Sequence, residues 1–126
     1  MKTAQTLQTL LLNVRQKQRV NLDQILYLEG DINYTSFHFQ SQRRTIIAHP
    51  LKHFEANLLP WGFLRIHRSH IVNSRFVQSA NLLENTLTLV DGTVLRVASR
   101  RVKEVSGIIF KLKTTKYHEK KITPAD

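Results

Sequence analysis

Residues 25–47 read ILYLEGDINYTSFHFQSQRRTII, and this stretch has the pattern of three successive β-strands. The apolar run from Ile25 to Leu28 ends at Gly30, a residue that favours a turn or a close backbone approach. In residues 34–39, apolar and aromatic residues alternate with polar ones, which is the period of a strand with one buried face. The segment QSQR at 40–43 fits a hairpin turn into a third strand at RTII. The stretch therefore predicts an antiparallel sheet.

A short helix is predicted directly after this β segment. Pro50 suits the first position of a helix, where its missing N–H has no intrahelical partner to lose. Leu51, Phe54 and Leu58 then recur at helical spacing, and Pro60 ends the run. The sequence thus predicts one helix that lies on the sheet.

Further strands are predicted downstream of the helix. Residues 76–101 hold two or three β-type runs, separated by LEN and VDG, and Asp91-Gly92 is a strong hairpin signal. From Arg100 onward, Val102, Val105, Ile108 and Ile109 step at helical spacing, although Gly107 weakens this second helix. We therefore expect a mostly β fold of small antiparallel sheets, with one short central helix and a short C-terminal helix.

Length and composition predict one domain. The 126 residues are enough for one core without cross-links, and the absence of cysteine excludes disulfides, thiolate zinc sites and thiol nucleophiles. Apolar runs are too short to span a membrane, and the N-terminus lacks a cleavage signal, so a cytoplasmic protein is expected. We divide the chain into a lead-in at 1–19, a domain at 20–110 and a basic, flexible tail at 111–126.

The charge of the chain predicts an anionic partner. A net charge of +10 and a pI near 10.4 attract polyanions, of which nucleic acid is the commonest. The alternatives are binding to an acidic membrane surface and a charge that serves solubility alone. The segment from Arg96 to Lys121 alone holds nine Lys and Arg against two Glu. Most of the excess positive charge therefore lies near the C-terminal end.

The histidines and serines raise the question of metal binding or catalysis. His67 and His70 lie beside arginines that repel a cation, and their motif contains no acidic residue. Ser69 has no nearby acid in sequence to orient a histidine base, and the four glycines form no phosphate-binding loop. We therefore predict no catalytic residue, no metal site and no cofactor.

Three clusters of basic, hydroxyl and amide residues fit nucleic-acid contacts better: NYT at 33–35, HRSH at 67–70 and SRRVK at 99–103. Arginine can bind phosphate or guanine with two hydrogen bonds, while Asn, Ser and Thr contact the backbone. Individual residues have other interpretations, since Arg65 fits an outward strand residue and Asn73 fits a cap or turn. A non-specific RNA- or ribosome-binding domain that stacks bases on Tyr34, Phe37 or Trp61 is the alternative function, and an interaction module for a sensor protein is a third.

Four motifs resemble one known family. FLRIHRSHIVN at 63–73 follows HPLKHFEANLLP and precedes DGTVLRVASRRVKEV, while ILYLEGDINYT comes earlier in the chain. Together they span about residues 20–109 and resemble the LytTR DNA-binding domain of bacterial transcription regulators. The resemblance implies small antiparallel sheets of the LytTR type whose loops, rather than a recognition helix, enter successive major grooves of double-stranded DNA.

The resemblance also implies which residues contact DNA. Arg68 and Arg100 match the positions of base contacts, Ser69, Arg101 and Lys103 look like phosphate contacts, and His67 orients its loop. The full candidate set is Asn33, Tyr34, Thr35, His67, Arg68, Ser69, Ser99, Arg100, Arg101 and Lys103. Two copies on a direct repeat are expected, with a sensor kinase or a receiver domain of the same pathway as a further partner and no membrane insertion.

Two features depart from the family pattern. His70 stands where the family has an aromatic Tyr or Phe, so the packing behind that loop is expected to be wetter or sensitive to pH. About 20 residues precede the first motif, which is too few for a receiver or a sensor region. The chain is then either a stand-alone regulator or the excised DNA-binding part of one.

Overall fold

The structure is a computed structural model that describes residues 9–13, 18–81 and 83–117. These residues form ten strands and two α-helices. The strands are β1 (Thr9–Asn13), β2 (Gln18–Asn21), β3 (Ile25–Asp31), β4 (Tyr34–Phe39), β5 (Arg44–Ile47), β6 (Phe63–His67), β7 (His70–Asn73), β8 (Val77–Asn81), β9 (Thr86–Leu89) and β10 (Val94–Arg96). The helices are α1 (Leu51–Leu58) and α2 (Val102–Tyr117). The predicted mostly β class with two helices is confirmed.

A five-stranded antiparallel sheet forms the centre of the fold, with the strand order β5-β4-β3-β7-β6. Strands β3, β4 and β5 are the three predicted from residues 25–47, and the turn at 40–43 joins the last two. The middle strand β3 also pairs with β7, so that Tyr27 lies opposite Val72 and Glu29 opposite His70. This long-range pairing places the loop between β6 and β7 next to the turn between β3 and β4.

Two hydrophobic clusters cover opposite faces of this sheet. Consecutive residues of β7 point to different clusters, since Ile71 packs in the first and Val72 in the second, and both are fully buried. The first cluster joins α1 and the β1-β2 hairpin to the sheet. The second joins the β8-β9-β10 sheet and α2 to the other face. Leu10 belongs to the first cluster, so part of the predicted lead-in packs in the core.

Helix α1 follows the predicted apolar spacing. Leu51, Phe54 and Leu58 are buried, and the helix begins one residue after Pro50, which is the N-cap. A 3₁₀ turn at Leu59–Trp61 contains Pro60 and ends at Gly62, whose φ of 91° is in the left-handed region that glycine adopts without strain. The chain thereby reverses from α1 into β6.

The C-terminal helix extends further than the sequence predicts. Gly107 does not interrupt α2, because Val105 and Ile109 on either side are buried in the second cluster and hold the helix to the sheet. The helix ends at Tyr117 rather than near residue 110, so residues 111–117 are helical where a tail was predicted. Residues 118–126 of that tail lie outside the described residues.

The region downstream of β7 contains three strands, the upper of the two numbers predicted. Asp91-Gly92 forms the turn between β9 and β10, and Gly92 has a φ of 94° while the Asp91 carboxylate accepts a hydrogen bond from the Thr93 N–H at 3.0 Å. The hairpin predicted at these two residues is confirmed.

Candidate nucleic-acid interface

The loop between β6 and β7 consists of Arg68 and Ser69, and backbone hydrogen bonds hold both sides of it. The Ser69 N–H donates to Nδ1 of His67 at 3.1 Å, and the Ser69 carbonyl accepts from the Gly30 N–H at 2.8 Å. The Arg68 side chain is exposed and has no hydrogen bond or ion pair with the described part of the chain. The loop therefore presents a free guanidinium on a fixed backbone.

Arg65 organises this loop from within strand β6. Its Nε donates to the His67 carbonyl at 2.8 Å, its Nη2 donates to the Arg68 carbonyl at 2.7 Å, and its Nη1 forms an ion pair with Glu55 of α1. The side chain is mostly buried, with 16% of its surface exposed. The sequence pattern alone is typical of an outward-facing strand residue at position 65. The position of β6 next to α1 in the fold shows instead that Arg65 holds the loop.

The turn between β3 and β4 carries the first predicted cluster. The Asp31 carboxylate accepts a hydrogen bond from the Ile32 N–H at 2.9 Å, which fixes the start of the turn. Asn33 and Tyr34 are exposed, which leaves them accessible for the predicted contacts, and Ile32 is 85% exposed.

Thr35 differs from its predicted role. Its side chain is fully buried, and its hydroxyl donates to the His49 carbonyl at 2.7 Å. A side chain without exposed surface has no access to DNA, so the prediction of a DNA contact by Thr35 is wrong for the side chain. The alternation of β4 places residue 35 on the same face as the buried Phe37, and this alternation was the signal for its burial.

The third predicted cluster lies along the free edge of β6. The Ala98 N–H donates to the Ile66 carbonyl at 2.8 Å, and a 3₁₀ turn at Ser99–Arg101 leads from there into α2. Ser99, Arg100 and Lys103 are exposed. Arg101 is partly buried, its Nη1 donates to the Arg65 carbonyl at 3.5 Å, and its buried Nε has no partner within the described residues. Arg101 is thus directed partly into the fold, whereas the exposed Arg100 side chain has no hydrogen bond or ion pair with the described residues.

Gly30 lies where three segments meet. Besides its hydrogen bond to the loop residue Ser69, it packs so closely on α1 that an added Cβ would lie 2.8 Å from Cβ of Leu51. The turn at 31–33, the first residues of α1 and the loop at 68–69 are consequently held in one arrangement. The sequence motif contains this glycine, but its two contacts come from residues distant in sequence.

The surroundings of His67 and His70 lower the pKa of both rings and favour their neutral forms. Burial and then the positive charges of Arg68, Arg96, Arg65 and Arg101 lower the pKa of His67. A neutral ring is required for Nδ1 to accept the Ser69 N–H. Burial also lowers the pKa of His70, while Glu29, whose carboxylate lies 4.0 Å from Nε2, acts in the opposite direction.

His70, where the resemblance predicts an aromatic Tyr or Phe, has polar and aromatic surroundings. Its ring centroid lies 6.1 Å from that of Tyr27, which stacks on His38 at 4.2 Å. Nδ1 of His70 is buried without a hydrogen-bond partner within residues 9–13, 18–81 and 83–117. The site behind the loop thus contains a buried polar atom where an aromatic hydrocarbon ring would have none.

Other site types find little support in the described ranges. No group of three or more His, Cys, Asp or Glu residues in them is arranged to hold a metal ion. The helices described there are also too short or too polar to cross a membrane.

Comparisons with known proteins agree with this geometry. The LytTr DNA-binding domain of a methyl-accepting/DNA response regulator from Bacillus cereus superposes with a TM-score of 0.62 at 20% sequence identity. The match covers 81% of this chain and 95% of that chain, which establishes a shared fold. A search of curated proteins found no significant match. The sequence model of the LytTr DNA-binding domain matches residues 16–109, about three quarters of the sequence, and the chain therefore belongs to this family.

Proposed function

We propose that the chain binds double-stranded DNA sequence-specifically, as the cytoplasmic output domain of a bacterial transcription regulator. Arg68 and Arg100 contact base edges from loops that enter successive major grooves, while Ser69 and Lys103 contact phosphates. Asn33 and Tyr34 approach the DNA from the neighbouring turn, and His67 orients its loop. Two copies occupy a direct repeat, and a sensor kinase or receiver domain supplies the signal.

The observation that carries the proposal is the contrast between a fixed loop backbone and a free arginine. Hydrogen bonds from Arg65 and Gly30 fix the carbonyls of Arg68 and Ser69, while the Arg68 side chain extends into solvent. Because the loop backbone is already fixed, hydrogen bonds from Arg68 to the O6 and N7 of guanine require ordering of the arginine side chain but not of the loop. Base readout by Arg68 therefore needs no rearrangement of the loop.

Selection from a random pool of duplexes, followed by affinity measurements, tests this function. The selection returns the preferred site and the repeat spacing. Replacement of Arg68 or Arg100 by alanine should then cost about 1–3 kcal/mol on the selected site and much less on random DNA. Arg44→Ala, on the opposite edge strand β5, is the control that removes the same charge outside the proposed interface. Equal losses on both kinds of DNA would reassign the two arginines to phosphate contacts.

One of the three aromatic residues on which the RNA-binding alternative depends is buried in the structure. Base stacking requires exposed rings, but Phe37 is fully buried and packs edge-on against Phe54. Tyr34 and Trp61 are about half exposed. Displacement of the bound duplex by an equal concentration of single-stranded RNA would nevertheless refute the transcription-factor proposal.

A further inference from the structure

Helix α1 borders the surface that carries the proposed DNA-reading loop. An open groove of about 460 Å³ lies between the turn at 31–32, the first residues of α1 and the loop at 68–69. The α1 side of the groove is formed by Pro50, Leu51 and Lys52. No sequence motif for DNA contact includes these three residues, so this part of the surface has no assigned role.

Three basic residues and one acidic residue line the groove, and they differ in whether their charge is paired within the fold. Arg65 forms an ion pair with Glu55 and donates hydrogen bonds to the carbonyls of His67 and Arg68, so its charge is already compensated within the fold. Arg68 and Lys52 are exposed, and neither has a hydrogen bond or ion pair with the described residues. Asp31 is the acidic residue on the lining, and one of its carboxylate oxygens already accepts the Ile32 N–H. Two uncompensated cations against one acid leave the groove positive.

We propose that Lys52 binds a phosphate of the DNA backbone through this groove, which makes α1 a further DNA-contacting element. The inference rests on the proposed function. Arg68 directs its planar guanidinium to a base, and Lys52, on the facing wall, supplies a compact ammonium that suits a phosphate without selecting a sequence. Gly30 packs on Leu51 of α1 and donates a hydrogen bond to the Ser69 carbonyl, so it fixes the position of α1 relative to the loop at 68–69. Lys52 and Arg68 can therefore contact the same duplex.

A salt titration of duplex binding tests the role of Lys52. A phosphate contact contributes about 0.9 to the slope of log affinity against log salt concentration, so Lys52→Gln should lower the slope by about 1. It should weaken binding to selected and random duplexes by the same factor, whereas Lys52→Arg should retain the slope. An unchanged slope, or a loss confined to the selected site, would overturn the proposal.

Removal of the phosphate charge gives a second test with the wild-type chain. Neutral methylphosphonates are placed one at a time along the selected duplex, and each is measured against wild type and Lys52→Gln. At the contacted phosphate, the substitution should weaken wild type and have no further effect on the variant. Additive losses at every position would overturn the contact, even if the variant folded poorly. A wild-type chain without salt-sensitive duplex binding would instead refute the proposed function itself.

Discussion

Replacement of Gly30 by alanine should destabilise the fold, although alanine suits a strand better than glycine. The φ of Gly30 is not in the left-handed region, so the added methyl group causes no backbone strain, and in open space it would stabilise by about 0.5–1 kcal/mol. Here the new Cβ would lie 2.8 Å from Cβ of Leu51 and 3.3 Å from its Cδ2. The Leu51 Cβ is fixed to the helix backbone and cannot rotate away. Overpacking of this kind costs about 1–3 kcal/mol, which exceeds the gain, so we expect a net loss centred near roughly 1 kcal/mol.

Chemical denaturation measures this loss, and Gly107→Ala is the matched control. Gly107 lies within α2, and apart from its chain neighbours and its own helix backbone no described atom would lie within 4 Å of an added Cβ. The same methyl group should therefore stabilise that variant by about 0.5–1 kcal/mol. The two variants should thus shift the free energy of unfolding in opposite directions. A Gly30→Ala variant as stable as wild type would show that α1 moves freely over the sheet. In that case the groove would not be a fixed surface, and the geometric argument for Lys52 would fail.

Three further changes test the supporting residues. Thr35→Val removes the hydrogen bond to the His49 carbonyl and should lower the free energy of unfolding by about 1 kcal/mol. The affinity for duplex DNA should stay unchanged, and a selective loss of affinity would restore Thr35 as a DNA contact. Arg65→Ala leaves Glu55 and two loop carbonyls without their donor, so it should cost about 1–3 kcal/mol by denaturation and weaken binding to every duplex, unlike Arg44→Ala. Because the folded pKa values of His67 and His70 are lowered, the folded state binds fewer protons than the unfolded state, and stability should fall as the pH decreases below about 6.5. His70→Phe should reduce this dependence in denaturation measured across pH, and an unchanged profile would exclude His70 as a contributor.

Local patterns in the sequence predict the three strands at residues 25–47 and helix α1, but they predict neither the β1-β2 pair nor the assembly of the elements. The alternation in residues 34–39 and the Asp91-Gly92 turn predict strands and hairpins because they depend on neighbouring residues. The pairing of Tyr27 with Val72 depends on residues far apart in sequence, and no local pattern specifies it. The roles of Gly30 and Arg65 follow from such pairings, which is why the motif contained both residues without revealing what they do.

The extent of α2 was misjudged for a related reason. Helix propensity penalises Gly107, and the lysine-rich residues after it have no apolar period. Tertiary packing outweighs that penalty, because Val105 and Ile109 are buried against the β8-β9-β10 sheet and anchor the helix on both sides of the glycine. Propensity is a weak guide wherever a few buried residues fix the backbone.

The arrangement of the interface separates residues that set affinity from those that set sequence preference. Gly30, Arg65 and His67 hydrogen-bond to the backbone in and beside the loop. Under the proposed function, they should affect binding to every DNA sequence alike, because they keep the loop in place. Arg68 contributes its side chain alone, and the loop that holds it is already ordered before a duplex arrives, which lowers the entropic cost of base contact. Loss of a supporting residue should therefore weaken specific and non-specific binding together. Under the proposed function, loss of Arg68 should bring the two affinities closer to each other, because its base contact forms in the specific complex.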